Sequence, residues 1–78
     1  NGEYEIIEAE IIETSELINK ELKNSNLPDE IRIGAVLRGE EVVIPRSNFI
    51  FKKEDVVVFL AKKDFLQIVE NMFRISSI

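Results

Sequence analysis

Hydrophobic and polar residues alternate along this chain with two different periods, and the switches between those periods mark out its elements. "YEIIEAEII", residues 4 to 12, puts Ile7, Ala9 and Ile11 on one side and Ile6, Glu8, Glu10 and Ile12 on the other, the two-residue period of a strand with one buried face. "TSELINKELKN" follows, with Thr14 or Ser15 able to cap, Glu16 and Lys20 four residues apart, and Leu17, Ile18 and Leu22 in a narrow stripe. That spacing predicts a short helix. Asn24, Ser25, Asn26 and Pro28 stop it, because such residues favour turns and proline cannot continue the hydrogen-bond ladder.

A second strand starts near Ile31. Ile31, Ile33, Ala35 and Leu37 share one parity and are expected to face the core, with Arg32, Gly34, Val36 and Arg38 on the opposite face. Gly39-Glu40 fits a two-residue type II′ turn, which pairs Arg38 with Glu41, Val36 with Val43 and Gly34 with Pro45. Pro45 lacks an amide donor, so pairing is expected to end there. Beyond the Arg46-Ser47-Asn48 turn, "FIF" reads as a short strand and "KKED" as a turn. "VVVFLA", apolar on both faces, reads as the central strand. Asp64 and Gln67 form a D-x-x-Q variant of the capping box, opening a helix whose apolar face is Phe65, Leu66, Ile68, Val69, Met72 and Phe73 and which runs through Arg74. The order strand, helix, four strands, helix predicts an α+β domain: a small mixed sheet with two helices, covered mainly on one side.

Composition narrows the functions such a fold can serve. At 78 residues the chain is one domain, residues 1–78. A core this small supplies about 3–5 kcal/mol, and no cysteine is present to add a disulfide, so self-association or a covalent neighbour is expected. Without cysteine or histidine there is no thiol nucleophile, serine–histidine triad or imidazole zinc site. A formal charge of −5 argues against gripping a nucleic acid through its phosphates, and Lys52-Lys53 and Lys62-Lys63 are isolated pairs. No apolar run approaches the roughly 20 residues needed to span a bilayer, so a cytoplasmic protein is expected. Glu3, Glu5, Glu8, Glu10 and Glu13 read as a solvated strand edge, since no loop of spaced oxygen ligands accompanies them. The adjacent carboxylates Glu40-Glu41 and Glu54-Asp55 lack a positioned nucleophile or oxyanion donor, so no enzyme is expected.

Taken together, "EAEI" in the first strand, "SELINKELKNSNLP", "IRIGAVLRGEEVVIP" and "KKEDVVVFLAKKDF" resemble the RCK C-terminal domain, also called the TrkA C-terminal domain, of potassium channels and transporters. The likeness runs from about Glu5 to Phe73. It departs from the family at Asn19 and at Glu54, where glycine is usual. The resemblance implies a cytosolic regulatory module at the inner face of the membrane, joined to an N-terminal RCK domain or to a membrane transporter, and dimerising through its own surface. It requires no cofactor. Some members hold cyclic di-AMP in the two-fold cleft, through the segment matching residues 32 to 45. The implied ligand-binding residues are therefore Ile33, Gly34, Val36, Arg38, Val43, Ile44 and Pro45. Asn1 in place of methionine gives the expectation of a piece of a longer protein.

The residues themselves support part of this. Gly34 allows close approach to the backbone, Val36 and Val43 offer an apolar floor, and Arg38 offers a guanidinium fork suited to phosphate. The competing reading pairs Arg38 with Glu41 across the hairpin, which leaves a passive dimerisation module without a ligand.

Overall fold

The computed structural model describes residues 3–73. Four strands, β1 (Tyr4–Glu10), β2 (Ile31–Arg38), β3 (Glu41–Val43) and β4 (Val56–Lys62), form one sheet in the order β1-β4-β2-β3, and α1 (Leu66–Phe73) follows β4. The class is α+β. Every pair in the sheet is antiparallel, which corrects the expected mixed sheet. The strand "VVVFLA" is central, flanked by β1 and β2, because only an inner strand buries enough on both sides to favour such a run.

The core lies on one face. Ala9 and Ile11, Ile31 and Val36, and Val57, Phe59 and Ala61 meet Leu17, Phe51, Val69 and Phe73, all buried. Phe59 and Phe73 stack with centroids 4.9 Å apart and planes 6° from parallel, which ties α1 to the central strand. Truncating either ring to alanine costs roughly 3–5 kcal/mol. A 3₁₀ turn, Lys63–Phe65, leads into α1. Gln67 hydrogen-bonds forward to Asn71 instead of reaching back as a capping residue. The expected extension of this helix through Arg74 lies outside the described residues.

The first predicted helix is a series of turns ending in a 3₁₀ turn, Leu22–Asn24. An isolated helix of that length is marginal, so tertiary bonds decide. The Ser15 hydroxyl is buried; it accepts from Leu17 N (3.2 Å) and donates to the Met72 carbonyl (3.0 Å). Further along, Asn19 N and Leu22 N donate to the carbonyls of Phe51 and Phe49, and Phe51 N donates back to Lys20. Some of the backbone groups a helix would have used are thus spent on the "FIF" segment, and the others close local turns such as Ile18 N to the Ser15 carbonyl. That segment is correspondingly a single bridge, Ile50 with Glu21, rather than a strand of the sheet.

Among the described residues, three that are not glycine take positive φ: Asn19 (62°), Asn26 (58°) and Glu54 (74°). Asn19 and Glu54 are the two departures from the family's glycines, so what glycine supplies there is a left-handed backbone. Glu54 is the third residue of the Lys52–Asp55 turn, closed by Asp55 N donating to the Lys52 carbonyl (3.1 Å). A glutamate has no local compensation for the left-handed penalty. Glu54→Gly is accordingly expected to raise unfolding free energy by about 0.5–1 kcal/mol, the relief of strain less the added freedom of the unfolded chain. Urea denaturation measures it, and an unchanged or lower midpoint would contradict the assignment.

Candidate functional site at the hairpin

The hairpin forms in the expected register, Arg38 opposite Glu41 and Val36 opposite Val43. Gly39 takes φ 60°, the sign a type II′ turn gives its first central residue. The face is not the expected one. β2 pairs β4 as Ile33 with Phe59 and then Ala35 with Val58, so Gly34 is an extra residue, a bulge. An inserted residue inverts the side-chain alternation beyond it. Ile31 and Ile33 therefore face the core as predicted, but downstream of Gly34 the inward residues are Val36 and Arg38. Ala35 and Leu37 turn outward, opposite Val58 and Val56.

This corrects three expectations. Val36 is fully buried and cannot be the floor of an open cleft. Gly34 is outward, while Val36, Arg38 and Val43 belong to the other face, so the seven implied ligand residues do not form one surface. The ladder ends at Val36–Val43, two register positions before the expected Gly34–Pro45 contact. Gly34 and Ile33 line a shallow groove with Ile6, Arg32, Val58 and Leu60. A Cβ on Gly34 would lie 3.6 Å from the Val58 carbonyl oxygen, an ordinary contact, so space does not demand glycine there. Ile44 is 71% exposed and Pro45 half-buried, just past β3 at the free edge of the hairpin.

Arg38 is held by Asp55. Its Nε donates to Oδ1 at 2.8 Å and its Nη2 to Oδ2 at 2.7 Å, a bidentate pair. Nη2 also donates to the Ile50 carbonyl at 2.9 Å, and the guanidinium lies 4.8 Å from the centroid of Phe49. Glu41, its register neighbour, adds only a longer-range attraction. Asp55 itself is 1% exposed and accepts a further hydrogen bond from Lys52 N at 2.8 Å. The sequence offers Asp55 only as one of two adjacent turn carboxylates, with no partner assigned. The available signal was its place as the last residue of a turn directly before a buried strand. Arg38 keeps an exposed flank, with 40% of its side chain accessible, beside Ile50, itself 41% exposed.

Burial alone would raise the Asp55 carboxyl, but the Arg38 and Lys52 hydrogen bonds, with the charges of both residues, overcome it and hold the group below its ordinary value. The arrangement offers a fixed cation beside exposed apolar side chains. No group of three or more carboxylates positioned for a metal ion occurs among the described residues.

These features define a class first: a small α+β module with an open antiparallel sheet and an arginine-anchored hairpin. A solved structure described as "Structure of RCK domain with cda" shares the fold, with a TM-score of 0.71 over 87% of this chain and 96% of that one at 16% identity. The chain belongs to the TrkA-C domain family, whose profile matches residues 6–74. It is 40% identical over 76 residues, 97% of its length, to a Trk system potassium uptake protein TrkA of Azorhizobium caulinodans. It is 36% identical over 64 residues, 82% of its length, to a TrkA homolog of Archaeoglobus fulgidus. The chain spans only 17% and 15% of those two relatives.

The lowered Asp55 pKa makes the ion pair pH-dependent in one direction. Its stabilisation is complete above the unfolded-chain value near 3.8 and is lost as pH falls through the lower folded value. Asp55→Asn should cost about 1.5–3 kcal/mol at neutral pH, with Arg38 left without its carboxylate. It should also flatten the decline in stability below pH 4. Urea titrations from pH 2.5 to 7 on both proteins read this, and parallel pH curves would show that the pair contributes nothing.

Proposed function

We propose that this domain is a regulatory module of a Trk-type potassium uptake system, acting at the cytoplasmic face of the membrane as a pair of copies. In this reading the paired hairpin ends bind a small phosphate-bearing ligand, a cyclic dinucleotide such as cyclic di-AMP. Family membership supports the potassium-uptake assignment, since the relatives named above are potassium uptake proteins. The observation that carries pairing is the exposure of Val42 (68%) and Ile44 (71%) on a domain of this size, and the accessible flank of Arg38, on the opposite face of the hairpin, supports the ligand. Large aliphatic side chains concentrated at one exposed place mark an interaction surface. The RCK domain sharing this fold was described with cda, which supports a ligand of that kind.

Within this proposal the ligand residues are those still accessible: Arg38 through its exposed flank, with Ile44 and Pro45. Val43 and Ile33 are half-buried, and Ile33 lies apart from the others, in the groove beside Gly34. No helix among the described residues is long and apolar enough to cross a membrane. One observation favours the ligand-free alternative: two of the guanidinium's three nitrogens are already bonded inside the domain.

Sedimentation equilibrium and a cyclic di-AMP titration, followed by thermal shift, decide between them. The chain should be dimeric at micromolar concentration, and ligand at 100 times its Kd should add about 2.7 kcal/mol of stability. Val42→Asp should dissociate the dimer, and Ile44→Ser should weaken ligand binding with the fold intact. A dimer indifferent to the nucleotide would leave the passive module; a monomer would end both readings.

A further inference from the structure

We propose that the edge of β1, open among the described residues, is a docking site for an extended, basic segment of a partner protein, which adds to the sheet as a fifth strand. The backbone supplies the first argument. β1 lies at the end of the sheet, opposite the hairpin. All of its pairs with β4 keep one register, Tyr4 opposite Lys62 through Glu10 opposite Val56. The bonds flanking that ladder, Lys63 N to the Glu3 carbonyl and Ile11 N to the Asp55 carbonyl, fall on odd-numbered residues of the first strand. Antiparallel ladders alternate, so the odd residues bond to β4, whereas Tyr4, Ile6, Glu8 and Glu10 turn their N–H and C=O groups to the open edge.

Those same four residues are exposed and share the outer face. An edge of seven residues with half its amides directed outward is a template for strand addition. Its chemistry then selects the strand. β1 carries Glu5, Glu8 and Glu10 and no cation, so pairing with a second copy would crowd both sets of carboxylates into one ribbon without compensation. A basic strand meets them favourably. Ile6, 78% exposed, and Tyr4, 44% exposed, ask for apolar partners at the other end. Added antiparallel, the fitting pattern from its N-terminus is basic, apolar, basic, apolar, apolar, basic, apolar, opposite Glu10 through Tyr4.

The probe is the capped peptide Lys-Val-Lys-Val-Val-Lys-Val with an amino-terminal fluorophore, titrated with the 78-residue chain and read by anisotropy. Saturable binding that weakens with salt is expected. N-methylation at peptide positions 3 and 5, whose amides face β1, should weaken binding at least about tenfold, while methylation at positions 4 and 6, facing away, should not. The double variant Glu8→Lys/Glu10→Lys, its fold checked by circular dichroism, should lose at least about tenfold as well. Equal binding of the two methylated peptides would reduce the effect to charge attraction and overturn the proposal, as would absent binding or an unaffected double variant. Concentration-dependent protection of the Tyr4, Ile6, Glu8 and Glu10 amides from hydrogen exchange without peptide would assign the edge to a second copy, and also overturn it.

Discussion

The rest of this fold depends on the single extra residue that β2 carries between Ile33 and Ala35. With Gly34 bulged out, the parity of the strand reverses and Arg38 arrives on the core side, where Asp55 is buried. The two halves of that arrangement do not depend on each other equally. A carboxylate at 1% exposure with no cation would be costly to bury, whereas Arg38, with 40% of its side chain accessible, loses less on its own. The pair also reaches beyond itself. Through Nη2 it fixes the Ile50 carbonyl, through Asp55 it fixes the Lys52 amide, and so it ties the hairpin to the turn that launches the central strand.

Much of the chain was legible because its signals were local. The Gly39-Glu40 turn set the hairpin register, the alternation of Ile7, Ala9 and Ile11 set the buried side of the first strand, and the run of Val56 to Ala61 marked the central one. Periodicity misled where a non-local bond outweighed it. Residues 14–24 have a helical stripe, yet their amides find the carbonyls of Phe49 and Phe51, and Ser15 finds Met72. A bulge is harder still to see. Ile-Arg-Ile-Gly alternates, but Ala-Val-Leu is apolar on both sides and fits either parity, so only the register against β4 reveals that the inward side switches after Gly34. The candidate site inherited that error, which is why Gly34 and Val36 were placed on one exposed face and are not.

The two departures from the family's glycines carry the complementary lesson. Asn19 and Glu54 keep the left-handed backbone that glycine would have adopted freely. Asparagine tolerates that region, and here its side-chain oxygen also accepts from Lys52 at 3.4 Å, so the substitution is close to neutral. Glutamate has no such help. The Lys52–Asp55 turn nevertheless holds, because Asp55 is fastened by Arg38 and by the Lys52 amide, and Glu54 N donates to the Ile11 carbonyl at 2.8 Å. Strain at one residue persists where its neighbours are over-determined.

The sheet order also separates what the two ends can do. The hairpin with its exposed aliphatics lies at one end and the acidic edge of β1 at the other, with β4 and β2 between them. β4 separates them as a packed strand, with Val57, Phe59 and Ala61 buried and Phe59 stacked on the helix. On the proposed reading, occupants of the two ends therefore do not exclude each other.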